Sequence, residues 1–135
     1  MLKETYCSYE VSKLLKEKGF NEKCRGCYHS EFDDNGNPIV MFEEWMAQPY
    51  NNDFADEGFL CSAPTHQMAM AWLREVHKLH ITILWDCGAC IGKNSFWYRI
   101  DRIDNYEDKG YNKIGFDSYE EAVEAALKYC LENFI

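Results

Sequence analysis

The sequence predicts an α+β fold: a single domain over residues 1–135 with about four antiparallel strands and three helices, mainly on one face of the sheet. Two observations carry this prediction. Apolar residues recur at helical spacing in three segments, and β-branched and aromatic residues fill two pairs of runs that are joined by turns. The resulting order is helix, hairpin, helix, hairpin, helix. Because strands joined by hairpins pair antiparallel, this order indicates the α+β class.

The first helix is predicted over residues 8–18. Ser8 is a favourable N-cap, and Leu15 belongs to an apolar set at helical spacing. Gly19 suits the left-handed position that commonly ends a helix, and Phe20 is the apolar residue that often follows it. The pattern therefore predicts both ends of this helix.

A hairpin is predicted from strands over 25–32 and 39–44, because the Asn35-Gly36 pair between them suits a tight turn. Residues 45–61 follow as a long connection without periodicity. Long connections in compact domains are either functional or poorly ordered, and the aromatic residues of this one predict an ordered loop that packs on the domain. Such a loop either covers the core or, as the functional alternative, serves as a recognition loop. Its candidate interaction residues are Trp45, Tyr50, Asp53, Phe54, Asp56 and Glu57.

Residues 62–86 have the strongest core signal. Pro64 suits a helix start, and an apolar stripe that includes Trp72 and Val76 predicts the central helix. The run from His80 to Asp86 then alternates as a strand. This spacing predicts that Trp72 and Trp85 both point into the core.

The second hairpin joins this strand, through a turn at 87–95, to a partner strand at 96–103. Residues 104–117 are polar and contain two glycines, which predicts a loop. Ser118 and Glu121 then form a capping box that begins the last helix. A broad apolar stripe continues from there to the end of the chain.

The charge distribution restricts the class of partner. The net charge is −9, and no Lys or Arg occurs between Gly26 and Leu73. Because nucleic acids and anionic membranes attract basic patches, this distribution disfavours direct binding to either. A solvated acidic surface explains the charges, and a docking face for a basic protein partner is the functional alternative. The acids of this stretch are Glu31, Asp33, Asp34, Glu43, Glu44, Asp53, Asp56 and Glu57.

Two C-x-x-C pairs are the main chemical motif. The first residues of the chain lack the basic start and apolar stretch of a secretory signal, so a cytoplasmic location is expected, where thiols stay reduced. Two such pairs can supply four thiolates to a structural zinc ion, although they are far apart in sequence. Redox catalysis is disfavoured because neither pair opens a helix. The candidate zinc ligands are Cys24, Cys27, Cys87 and Cys90, with ordinary free cysteines as the alternative and no other cofactor expected.

No familiar catalytic motif is present: the sequence lacks a nucleophile elbow, a P-loop, a dinucleotide-binding glycine motif and a zincin motif. This favours a non-enzymatic interaction protein. An enzyme with an unrecognised site, in a cleft beside the 45–61 loop, is a further alternative. The oligomeric state is not indicated by the sequence.

Three segments, SYEVSKLLKEKGF, SAPTHQMAMAWLREVHKLHI and YEEAVEAALKYCLENFI, together resemble a family of small uncharacterised proteins from phages, prophages and conjugative elements of gut anaerobic bacteria. The resemblance implies a mobile-element accessory protein, and it supplies no activity, cofactor or site. Members of that family usually have an aromatic residue where Cys27 stands and lack the pair at Cys87 and Cys90. The resemblance therefore does not support zinc binding as a role of the whole family.

Overall fold

The computed structural model describes residues 2–42, 58–88 and 95–135, and it confirms the α+β class. The chain divides into two compact units, Met1–Gln67 and Met68–Ile135, which are described separately below. Within the described ranges there are three helices and two three-stranded antiparallel sheets. The assignment of the whole chain to a single domain stays a prediction.

The elements have the following bounds. The helices are α1 (Tyr9–Glu17), α2 (His66–His77) and α3 (Tyr119–Asn133). The strands are β1 (Gly26–Phe32), β2 (Pro38–Phe42), β3 (Phe59–Ala63), β4 (Leu79–Asp86), β5 (Ser95–Arg102) and β6 (Tyr111–Phe116). None of the helices in the described ranges has the length and apolar character needed to cross a membrane.

The first unit contains α1 and a sheet in the order β2-β1-β3. The Ser8 hydroxyl accepts a hydrogen bond from the backbone N–H of Val11 at 3.2 Å, which confirms the predicted N-cap. Gly19 has a φ of +95°, and Phe20 behind it is fully buried. The predicted start and end of this helix are therefore both correct, because each is set by residues close together in sequence.

The core of the first unit lies where α1 packs on the sheet. Tyr28 in β1 and Cys61 in β3 are paired across the strands and are both buried. The Tyr9 ring of α1 meets the Tyr28 ring edge-on, with centroids 5.5 Å apart. The Tyr28 hydroxyl donates a hydrogen bond to the Cys7 carbonyl at 2.7 Å, so the segment before α1 is tied to the sheet. Burial of these apolar groups is the main stabilising contribution.

The second unit contains a sheet in the order β4-β5-β6 with α3 packed across it. The register of β4 and β5 runs without a break from Leu79 opposite Arg102 to Asp86 opposite Ser95. The Ser118 hydroxyl accepts from the backbone N–H of Glu121, as the capping box predicts. The Glu121 carboxylate, however, accepts from the N–H of Asp117 at 3.2 Å, one residue before the cap.

The prediction of about four strands in one sheet is wrong, because the described residues form six strands in two separate sheets. The two additional strands, β3 and β6, lie largely in segments that the sequence predicts as loops. β3 has only five residues and follows a stretch of turn-forming residues. β6 contains Gly115 at a φ of +97°, where the pairing with β5 shifts register, so its alternation is broken. Each of these strands pairs with one strand of a predicted hairpin and so forms the third strand of its sheet. Its stability depends on that pairing, which the local sequence does not indicate.

Two side chains of the central segment are more exposed than the sequence predicts. Trp72 is buried, as expected, but Val76 on the same predicted stripe is exposed. The buried side of α2 contains Ala69, Trp72 and Leu73, all of which belong to the predicted stripe. Trp85 at the end of β4 is 60% exposed, although it alternates in phase with buried Ile81. The alternation correctly predicts the face of the sheet on which each residue lies. It does not predict how much of that face is buried by other elements.

Candidate functional site

The predicted recognition loop lies outside the described residues. Its candidate interaction residues, Trp45, Tyr50, Asp53, Phe54, Asp56 and Glu57, all fall between residues 43 and 57. Their proposed role therefore stays a prediction. The acidic stretch to which they belong also includes the hairpin before the loop, and this hairpin is described.

The tip of the β1–β2 hairpin presents three acids and an aromatic ring. We call Glu31, Phe32, Asp33 and Asp34 the acidic tip; all four are exposed, and the Phe32 side chain is 53% exposed. One carboxylate oxygen of Asp33 accepts hydrogen bonds from the backbone N–H groups of Asn35 and Asn37, both at 2.9 Å. Asp33 therefore shapes the turn, whereas the carboxylates of Glu31 and Asp34 form no hydrogen bond within the described part of the chain.

Within the described residues, no cationic side chain neutralises the negative charge of Glu31 or Asp34. Across residues 2–42, 58–88 and 95–135, neither Glu31 nor Asp34 forms an ion pair. Carboxylates at an exposed tip keep their hydration until a cation displaces it. The half-exposed Phe32 adds an apolar surface that the aliphatic stem of a Lys or Arg can cover. The tip can thus bind a cationic side chain with both charge and apolar contact.

A second exposed aromatic surface lies at one end of the sheet in the second unit. We define the aromatic row as Trp85, Phe96, Phe116 and Tyr119. Strand register places Trp85 opposite Phe96 and Phe96 opposite Phe116. The Tyr119 ring, in the first residue of α3, meets the Phe96 ring edge-on with centroids 6.3 Å apart. These residues are distant in sequence, so sequence analysis did not group them.

The first C-x-x-C pair is buried in the first unit. Cys24 and Cys27 are 1% and 0% exposed, and the Cys24 thiol lies 3.4 Å from the Glu22 carbonyl as a hydrogen-bond donor. Burial, with the Glu22 carboxylate as a second cause, raises the pKa of the Cys24 thiol from 9.0 to about 12. In the second pair, Cys87 is exposed and Cys90 lies outside the described residues. Zinc binding by the two pairs therefore stays a prediction.

These cysteines are expected to differ in how fast their thiols are alkylated. Burial also raises the pKa of the Cys61 and Cys130 thiols to about 12, so at pH 8 they stay protonated, as does Cys24. Since the thiolate is the nucleophile, iodoacetamide at pH 8 should modify exposed Cys87 well before any of these three. Peptide mass spectrometry over a time course measures the order. In urea all four should react at similar rates, and equal rates in the folded protein would contradict the prediction.

A buried thiol and a buried imidazole, which no sequence motif indicates, also lie close together. Cys7 is 0% exposed and His66 is 4% exposed, and the Cys7 sulfur lies within 4.8 Å of a ring nitrogen of His66. The backbone N–H of His66 donates to the Thr5 carbonyl at 2.9 Å, which holds the two segments side by side. The two residues are far apart in sequence and belong to no short motif. Both residues belong to the first unit.

The second unit also contains a shallow cleft of about 260 Å³ between the sheet and α3. The Tyr111 and Tyr129 rings stack there in parallel with centroids 3.9 Å apart, and Lys128 pairs with Glu132 at 3.9 Å. Burial, together with neighbouring Tyr111, raises the pKa of the Tyr98 hydroxyl, which therefore stays neutral. The cleft is lined by Tyr98, Tyr111, Lys113, Ala125, Lys128, Tyr129 and Glu132. Its tyrosines pack against each other, which is typical of a structural cluster.

Comparisons with protein-family models, with curated proteins and with solved structures gave no match for this chain.

Proposed function

We propose that this chain is a non-enzymatic accessory protein of a mobile genetic element, and that it acts by binding a basic protein partner through an acidic, aromatic surface. The observation that carries the proposal is the acidic tip. There, Glu31 and Asp34 are exposed without an ion pair in the described part of the chain, next to a half-exposed Phe32. The residues of the recognition loop continue the same composition, since residues 26–73 contain no Lys or Arg.

The physical basis of such binding is charge complementarity combined with apolar contact. An excess of nine negative charges attracts cationic partners over about a Debye length and raises the association rate. Specificity then depends on contacts at short range, where an aromatic ring beside carboxylates favours the side chains of Arg and Lys. The acidic tip supplies both the negative charge and the aromatic ring within four consecutive residues.

Charge reversal at the tip tests this function. The variant Glu31→Lys/Asp34→Lys should lose at least about tenfold in the amount of basic host protein captured in a pull-down, because like charges then face the partner. The recognition loop is tested in parallel with Asp53→Lys/Asp56→Lys/Glu57→Lys. Captured proteins are identified and quantified by mass spectrometry, and their isoelectric points are compared with those of the lysate.

The matched control for the tip is Asp104→Lys/Glu107→Lys, which changes the net charge by the same amount at exposed positions elsewhere. This control should retain capture to within about twofold. A set of captured proteins that neither the tip variant nor the loop variant changes would contradict the proposal. So would capture that falls equally in the control, because the effect would then come from total charge.

A further inference from the structure

We propose that Asn35, beside the acidic tip, is a site of spontaneous deamidation, in which the backbone nitrogen of Gly36 attacks the side-chain amide and a carboxylate replaces it. Asn35 and Gly36 lie in the turn of the β1–β2 hairpin, and both are exposed. Water is the only co-reactant. The modification goes beyond the proposed function, because it is a covalent change of this chain that requires no partner.

The reaction proceeds through a cyclic imide. The Gly36 nitrogen loses its proton and bonds to the side-chain carbon Cγ of Asn35, while the Cγ–Nδ2 bond breaks and ammonia leaves with that proton. Water then opens the imide at either of its carbonyl carbons. One opening gives aspartate, and the other gives isoaspartate, in which the peptide bond to Gly36 runs through the side-chain carboxyl group. No group is oxidised or reduced.

Gly36 is the residue type that most favours this attack. It has no Cβ, so the side-chain amide approaches its nitrogen without the steric hindrance that other residues impose. The space around Gly36 is also open, since a Cβ added there would have no heavy atom within 4 Å among the described residues beyond its chain neighbours. Asn35 is the only asparagine in the sequence that precedes a glycine.

The hydrogen bonds of the turn leave the reacting amide free to rotate. The Asn35 backbone N–H donates to the Asp33 carboxylate at 2.9 Å, whereas the Asn35 side-chain amide forms no hydrogen bond within the described part of the chain. The Gly36 N–H donates to the Asp33 carbonyl at 3.0 Å, so the attack requires that this bond opens. A hydrogen bond at an exposed loop tip opens readily, because few buried contacts hold it.

Deamidation changes both the charge and the shape of this surface. The new carboxylate follows the acids Asp33 and Asp34 directly in sequence, so the turn gains a further negative charge. Isoaspartate also adds a methylene group to the main chain before Gly36, which displaces the Gly36 N–H from the Asp33 carbonyl. The effect of these changes on a basic partner rests on the proposed function, whereas the chemistry at Asn35 does not.

The test is peptide mass spectrometry of the folded protein after incubation in mildly alkaline buffer for increasing times. Digestion with pepsin in acid limits further reaction, and fragmentation distinguishes aspartate from isoaspartate. Asn35 should convert at least about tenfold faster than the exposed Asn105 and Asn112, because the residues that follow those two carry side chains. Isoaspartate should be among the products, since the cyclic imide is its source.

Asn37 is the matched control within the same turn. It is exposed, but Pro38 follows it and has no N–H from which the neutral imide can form. Asn37 should therefore remain unmodified while Asn35 converts. Gly36→Ala should slow the conversion of Asn35 at least about tenfold, because the added methyl group hinders the attack. The melting temperature of the variant confirms that it is folded.

A parallel incubation in urea measures how far the fold protects Asn35. The folded protein should deamidate at Asn35 at no less than about one tenth of the rate of the unfolded chain, because the turn is exposed. A lower rate would overturn the inference, since the turn would then protect the amide. Conversion without isoaspartate, or conversion of Asn37 as fast as that of Asn35, would also overturn it. All these rates are measured on the isolated chain, so a failed pull-down rejects the proposed function and leaves this site unaffected.

Discussion

Replacing Trp72 by alanine should lower the free energy of unfolding by about 3–5 kcal/mol, the range typical of deleting a large buried aromatic side chain. The Trp72 side chain is only 7% exposed and lies on the buried side of α2 with Ala69 and Leu73. Its ring also meets the His77 ring edge-on, with centroids 4.7 Å apart. The substitution removes this contact and leaves a cavity that its neighbours fill only in part.

The measurement is urea unfolding at neutral pH, followed by far-ultraviolet circular dichroism so that the loss of Trp72 does not alter the signal. Tyr106→Ala serves as the control, because it removes an aromatic ring that is 95% exposed and should change stability by less than about 0.5 kcal/mol. A Trp72→Ala protein with nearly the unfolding midpoint of wild type would show that the ring does not stabilise the core.

The elements that sequence analysis predicted correctly are those whose signals are local. The N-caps at Ser8 and Ser118 each bind a backbone N–H three residues away, so a short window contains the whole interaction. The same holds for the β1–β2 turn, where Asp33 accepts from Asn35 and Asn37. Such interactions depend little on the remainder of the fold, which explains why both α1 and α3 begin where they were predicted to begin.

The elements that were missed depend on distant partners. β3 and β6 are edge strands, which pair with β1 and β5 respectively. Which of their side chains are buried depends on this pairing and not on their own sequence pattern. The exposure of Trp85 has the same origin, because it depends on packing by residues that are distant in sequence. Helical spacing similarly placed Val76 on the core side of α2, whereas its neighbours in space leave it exposed.

The two candidate surfaces also differ in whether the sequence indicates them. The acidic tip belongs to the acidic stretch that the sequence indicates, although the candidate interaction residues predicted from the sequence lie further along the chain, at 45–57. The aromatic row was not predictable, because Trp85, Phe96 and Phe116 come together only through the registers of three strands. Burial of Cys24 and Cys27 also follows from tertiary packing, since a C-x-x-C motif alone is equally compatible with an exposed turn.

Replacing Gly26 by alanine should destabilise the first unit by about 1–3 kcal/mol, as expected for overpacking in a close-packed interior. Gly26 lies in β1, the central strand of its sheet, opposite Phe42 on one side and Ala63 on the other. A Cβ at this position would lie 2.8 Å from the Ala63 carbonyl oxygen and 3.1 Å from two ring carbons of Tyr6. The strand cannot move away, because it is hydrogen-bonded along both edges.

A double-mutant cycle identifies the source of this cost. In a Tyr6→Ala background the ring contact is absent, so Gly26→Ala should cost less than in wild type by a coupling energy of about 0.5 kcal/mol or more. The Ala63 carbonyl contact remains, so part of the cost should persist. Urea unfolding of the four proteins gives all the terms. A Gly26→Ala protein as stable as wild type would contradict the clash, and a cost that is unchanged by Tyr6→Ala would assign it to the backbone contact alone.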